Sequence, residues 1–64
     1  MQAPHFYIVV GDQYVSRFQV MAKKRVSLTK NKHRALPFRI RQDAEQVAIE
    51  VRKEETNVQV KEEV

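Results

Sequence analysis

The chain predicts an α+β domain: a small antiparallel or mixed sheet of three to four strands packed against one helix, in the order ββ(β)αβ. Three observations lead there. Phe6-Tyr7-Ile8-Val9-Val10 and Tyr14 to Val20 are runs rich in β-branched and aromatic residues on either side of Gly11-Asp12. Ala44, Val47, Ala48 and Val51 recur at the spacing of a single helix stripe. Val58 and Val60 alternate with Gln59 and Lys61 near the end of the chain, as the residues of a half-buried strand do.

Gly-Asp between two strand-like runs is a hairpin signal, because glycine supplies the positive φ that a tight primed turn needs. A two-residue loop pairs Val10 with Gln13. It then puts Phe6, Ile8, Val10 and Val15 on one face, with Tyr7, Val9, Tyr14, Ser16 and Phe18 on the other. A three-residue loop instead gathers Phe6, Ile8, Val10, Tyr14 and Phe18, since a slip of one position moves a strand's side chains across the sheet. Turn chemistry favours the first register and the apolar tally the second. Met21 to Arg25 reads as a basic connection, with Met21 filling a gap beside the sheet. Val26-Ser27-Leu28 is a short third strand, and Thr29 caps a helical turn over Lys30 to Arg34. Ala35-Leu36-Pro37-Phe38 is extended, proline turning its predecessor away from helix. The helix runs from about Gln42 to Glu54 and ends at Thr56-Asn57, asparagine tolerating the left-handed conformation. Phe6, Ile8, Val10, Leu28, Phe38, Ile40, Val47, Val51, Val58 and Val60 form the expected core. Lys61-Glu62-Glu63 suits an exposed edge.

Sixty-four residues make one domain, 1–64, a size that buries only about 60% of the surface of the unfolded chain. There is no cysteine, so disulfides and thiolate metal sites are excluded, and two separated histidines make no structural zinc site. The longest apolar run, Phe6 to Val10, is far short of the roughly 20 residues of a membrane helix. The first residues lack the features of a secretion signal. The expected setting is cytoplasmic. A net charge of +4 conceals a division: nine Lys and Arg and no acid lie between Gln13 and Gln42, whereas residues 43–64 carry seven acids against three cations. Such a division predicts a dipolar surface unless folding brings the halves together.

"YIVVGDQYV", "SLTKNKHRALPF", "DAEQVA" and the closing "VQV" together resemble a group of small uncharacterised proteins encoded by phages and prophages of Gram-positive bacteria. The matching residues are Gly11 and Asp12, Leu28 and Thr29, Ala35 and Phe38, Ala44 and Ala48, then Val58 and Val60. The resemblance spans nearly the whole chain. It departs at Thr56-Asn57, where relatives commonly carry glycine, and in the heavier basic content of residues 23–41. It implies a ββαβ-like fold and a bacterial host cell, and no activity.

Catalysis finds no support. Asp12 lies in a tight turn, His33 stands among cations, and the other acids belong to a helix face or the tail. The chain has one glycine, and with it neither a phosphate loop nor a Gly-x-Ser-x-Gly turn. The expectation is a non-enzymatic accessory or protein-interaction domain, with no catalytic residue, cofactor, metal or small-molecule substrate. Its partner would be an unknown protein or a second copy. The candidate face is Tyr7, Val9, Tyr14 and Phe18, because one helix covers one side of a sheet and aromatic residues favour interfaces. The alternative is non-specific nucleic-acid binding through segment 23–41, with Lys23, Lys24, Arg25, Lys30, Lys32, Arg34, Arg39 and Arg41 tracking phosphates and with Tyr7, Tyr14 and Phe18, if on the open sheet face, stacking on unpaired bases. Against it stands the plainer reading of a solvated basic connection.

Overall fold

Gly11 turns the chain back on itself with φ at +61°, a left-handed conformation that costs glycine little. In the computed structural model, which describes residues 5–19, 21, 23 and 25–63, it joins β1 (His5–Val10) to β2 (Gln13–Phe18). Val10 faces Gln13 and Val9 faces Tyr14. The loop therefore has two residues with glycine first, an arrangement whose twist matches that of the strands. Of the two registers open from the sequence, the one favoured by turn chemistry forms. β3 (Val26–Thr29) pairs antiparallel with β2, and β4 (Val58–Glu63) pairs antiparallel with β1 along its whole length. The sheet order is β3-β2-β1-β4. β2 was expected to reach Val20 and ends at Phe18; Val20 lies outside the described residues.

The ladder between β2 and β3 slips at Ser16. Val15 opposes Leu28, whereas Arg17 opposes Ser27 and Phe18 opposes Val26. Such a bulge leaves one residue unpaired and re-aims those after it; the Ser16 hydroxyl donates to the Ser27 carbonyl at 3.2 Å. Val15 and Phe18, three apart, thereby share one face, and both belong to the core.

β1 and β2 pair only beside their turn, and residues 36–38 serve the strands beyond it. The Leu36 N–H donates to the Val15 carbonyl at 2.9 Å. Phe38 and Phe6 exchange two backbone bonds of 2.7 and 2.9 Å. The extended stretch before α1 thus satisfies backbone groups of both strands that would otherwise be unpaired.

α1 (Arg41–Val51) lies against β4 and β1. Ala44, Ala48 and Val51 are fully buried, and Val47 packs beside them, as their spacing requires. Ile8 and Val15 meet this stripe from the sheet, with Val26 and Val58 completing the cluster. The α-helix stops at Val51, three residues before the expected end. A looser turn follows, in which the Glu54 and Glu55 N–H groups both donate to the Val51 carbonyl. Asn57 takes φ +58° and its carbonyl accepts from the Gly11 N–H at 3.1 Å, which ties the helix exit to the hairpin.

Three local expectations are corrected. Ile40, read as core, is 58% exposed, because the chain leaves its extended path at Arg41 and Ile40 stands at the helix start. Met21, read as filling a gap beside the sheet, is 96% exposed in the connection between β2 and β3. The helical turn Lys32–Arg34 is capped by Asn31, whose side chain accepts from the His33 N–H at 2.9 Å. The Thr29 hydroxyl instead accepts from the Asn31 N–H at 3.1 Å.

Candidate functional site

The pairing register sorts the strand side chains into two sets. Ile8 opposite Val60 and Val10 opposite Val58 point toward α1, as do Val15 opposite Leu28 and Phe18 opposite Val26. Alternation then sends the remaining positions to the other face. On β1 and β4 these are His5 opposite Glu63, Tyr7 opposite Lys61 and Val9 opposite Gln59. On β2 and β3 they are Tyr14 opposite Thr29 and Arg17 opposite Ser27.

Tyr7, Val9 and Tyr14 therefore lie together on the face opposite α1, each partly exposed. The two tyrosine rings meet edge to face, 6.1 Å apart at 79°, a favoured aromatic geometry. Phe18, expected beside them, is corrected: the bulge at Ser16 turns it to the helix side. There the Arg25 guanidinium lies 5.6 Å from its ring centroid, within cation–π range. Arg17 and Lys61, which sequence reasoning passed over, take places on the tyrosine face, and both are exposed. Only the adjacency of β4 to β1 and the bulge bring them there.

Folding engages part of the basic segment. Arg25 Nη2 donates to Glu50 Oε1 at 2.9 Å, and its Nε stands 4.0 Å from Glu54 Oε2. Arg41 approaches Glu45 at 3.9 Å and lies 5.9 Å from the Phe6 ring centroid. Lys32 Nζ meets Glu63 Oε2 at 2.7 Å. Lys23, Lys30, Arg34 and Arg39 are exposed, and Lys24 lies outside the described residues. Of the seven that are described, Arg25, Lys32 and Arg41 thus pair with acids of the same chain, whereas Lys23, Lys30, Arg34 and Arg39 face solvent.

The Lys32–Glu63 pair has a topological consequence. Lys32 follows β3 at one edge of the sheet and Glu63 ends β4 at the other, so the connection holding Lys32 crosses the sheet. It does so on the tyrosine side. Contact with the Glu63 carboxylate holds the Lys32 ammonium above the ordinary lysine range, overcoming its partial loss of solvent, and the nearby Tyr14 and Tyr7 add to the effect.

Glu50 joins the outer hairpin to the helix. Lys53, 3.1 Å from Glu50 Oε2, and then Arg25 hold its carboxyl below the ordinary glutamate value of 4.5. A lowered pKa in the folded chain stabilises it above the unfolded value, and the benefit disappears as pH falls through the folded one. Glu50→Gln should therefore melt below the wild type at neutral pH, and the gap should close on acidification past 4.5. Thermal melts across that range check this; a gap unchanged by pH would show that the pair contributes nothing.

No helix among the described residues is long and apolar enough to cross a membrane, and those residues hold no group of three or more metal-ligating side chains. Compared with known proteins, the chain matches no family model, no curated protein and no solved structure.

Proposed function

We propose that this chain is a non-enzymatic accessory module of phage or prophage type, acting in the cytoplasm of a bacterial host, and that it binds a partner macromolecule through the sheet face opposite α1. One observation carries the reading: Tyr7, Val9 and Tyr14 stay partly exposed together on the side that the helix leaves uncovered. Two adjoining tyrosines left half-buried beside the crossing connection favour contact with a partner, because an aromatic body can be covered while its hydroxyl stays wet. The scatter of the acids supports the absence of catalysis. Asp12 is exposed in a turn, whereas Glu50 and Glu63 are neutralised by cations.

The second reading, non-specific attraction of nucleic acid by segment 23–41, is favoured by the exposure of Lys23, Lys30, Arg34 and Arg39. It is weakened by the engagement of Arg25, Lys32 and Arg41 with acids of the same chain.

A partner-independent test is available because the chain has two tyrosines and no tryptophan, so its intrinsic emission reports on Tyr7 and Tyr14 alone. Acrylamide should quench the folded chain measurably, though less than the unfolded one. Emission that acrylamide does not touch in the folded state would place both rings inside and end this reading.

A further inference from the structure

We infer that the partner of the tyrosine face is a single-stranded nucleic acid, an assignment that rests on the binding-face reading above. The face does not have the chemistry of an apolar dimer seam. Cations border its two aromatic rings: Lys61 directly opposite Tyr7 on β4, and Arg17 on β2 beyond Tyr14. Lys32 reaches over it from the crossing connection. Among the described strand residues, the carboxylate on this face is Glu63, and Lys32 already neutralises it. Exposed Lys30 and Arg34 flank Lys32 along that connection. Ser27, Thr29, Gln59 and His5 supply hydrogen-bonding groups among the rings and charges.

A second copy docked on this face would bring the patch carrying exposed Arg17 and Lys61 against the same cationic patch. A flat polyanion with exposed π faces fits better, because successive bases stack on aromatic side chains while cations along the groove follow the phosphates. Duplex is disfavoured for two reasons. Its bases are already stacked and out of reach of a sheet, and α1, the helix that would have to enter a groove, exposes Asp43 and Glu45. The working cations thus include Arg17 and Lys61, which lie outside segment 23–41.

The test titrates the folded chain with oligothymidylate of about 12 nucleotides, within the span of such sites, with a duplex of equal length, and with polyglutamate. Tyrosine emission and the anisotropy of labelled strand are both read. Single strand should bind and quench the tyrosines, duplex should bind more weakly, and polyglutamate should leave the emission unchanged. Two phosphate contacts, from Arg17 and Lys61, predict a log–log salt slope of about −1.4 on a single strand, and Arg17→Gln or Lys61→Gln should each reduce it by about 0.7. Tyr14→Ala should weaken binding roughly 5- to 150-fold. The two glutamine variants alter exposed side chains, so they keep the test valid if the tyrosine variant does not fold.

Absence of binding at low salt overturns the inference. So does binding that leaves tyrosine emission and both glutamine variants unaffected, which would locate the contact on segment 23–41. Quenching by polyglutamate equal to that by oligothymidylate overturns it in favour of an acidic protein. Acrylamide in the same samples separates the two levels. Tyrosines open to acrylamide but indifferent to oligonucleotide refute the ligand and leave the face standing, whereas tyrosines closed to acrylamide refute the face itself.

Discussion

Ile8→Ala is expected to cost about 2–5 kcal/mol, the range for emptying a fully buried aliphatic site. Ile8 is 0% exposed and sits in the cluster where the sheet meets Ala48 and Val51. A domain of this size has roughly 3–10 kcal/mol of stability in all, so the variant should lose a large share of it and melt at least about 10 °C lower. Ile40→Ala is the matched control. Both residues are isoleucines near the helix, and both can be read as core from sequence, yet Ile40 is 58% exposed and its truncation should change stability by no more than about 0.5 kcal/mol. Urea unfolding followed by circular dichroism measures both. Equal losses at the two positions would mean that the core is misplaced.

Ala48→Asp is expected to be at least as damaging, on the order of 3–5 kcal/mol at neutral pH, because it buries a carboxylate with no compensating charge. Ala48 is 0% exposed, and its neighbours in the core are apolar. Burial disfavours the charged form, so the introduced carboxyl should have a folded pKa above its ordinary value of about 3.9. The penalty therefore sets in as pH rises past that value and grows until the folded pKa is reached. Relative to the wild type, the variant should be least impaired in acid. Gln46→Asp, at an exposed position two residues away, should behave nearly as the wild type does. Melts of both variants against pH check the sign, and a pH-independent difference would mean that position 48 is solvated.

Most of the architecture was legible from local chemistry. The glycine at position 11 dictated a tight loop, and the period of Ala44, Val47, Ala48 and Val51 dictated which side of the helix is buried. Val58 and Val60 both reached the core side of an edge strand, as their alternation required. What local chemistry could not carry were pairings between distant segments. Nothing in Leu36-Pro37-Phe38 announces that its backbone will bond to Val15 and Phe6, because an extended stretch has no preferred partner until the strands around it are placed. The bulge at Ser16 is similar. Strict alternation assigns Val15 and Phe18 to opposite faces, and the apolar character of both was the one hint that an extra residue lay between them.

The candidate site suffered from the same gap. Tyr7, Val9 and Tyr14 emerged as neighbours because the hairpin register follows from a short loop, whereas Phe18 was lost to the bulge. The basic run looked like a single surface because charge along a sequence says nothing about acids that folding brings in from elsewhere. Glu50 and Glu63 lie 25 and 31 positions away from the cations they neutralise, Arg25 and Lys32. Lys61 belongs to the acidic half of the chain and still faces Tyr7.

The most direct measurement is a nuclear Overhauser spectrum of the two tyrosine rings, which the absence of tryptophan and the presence of only three phenylalanines leave easy to assign. Cross-peaks from Tyr7 and Tyr14 to each other, to the Val9 methyls and to the Lys32 side chain, with none to Ala44, Ala48 or Val51, are the predicted result. Ring contacts to those helix methyls would put the tyrosines in the core and remove the binding face.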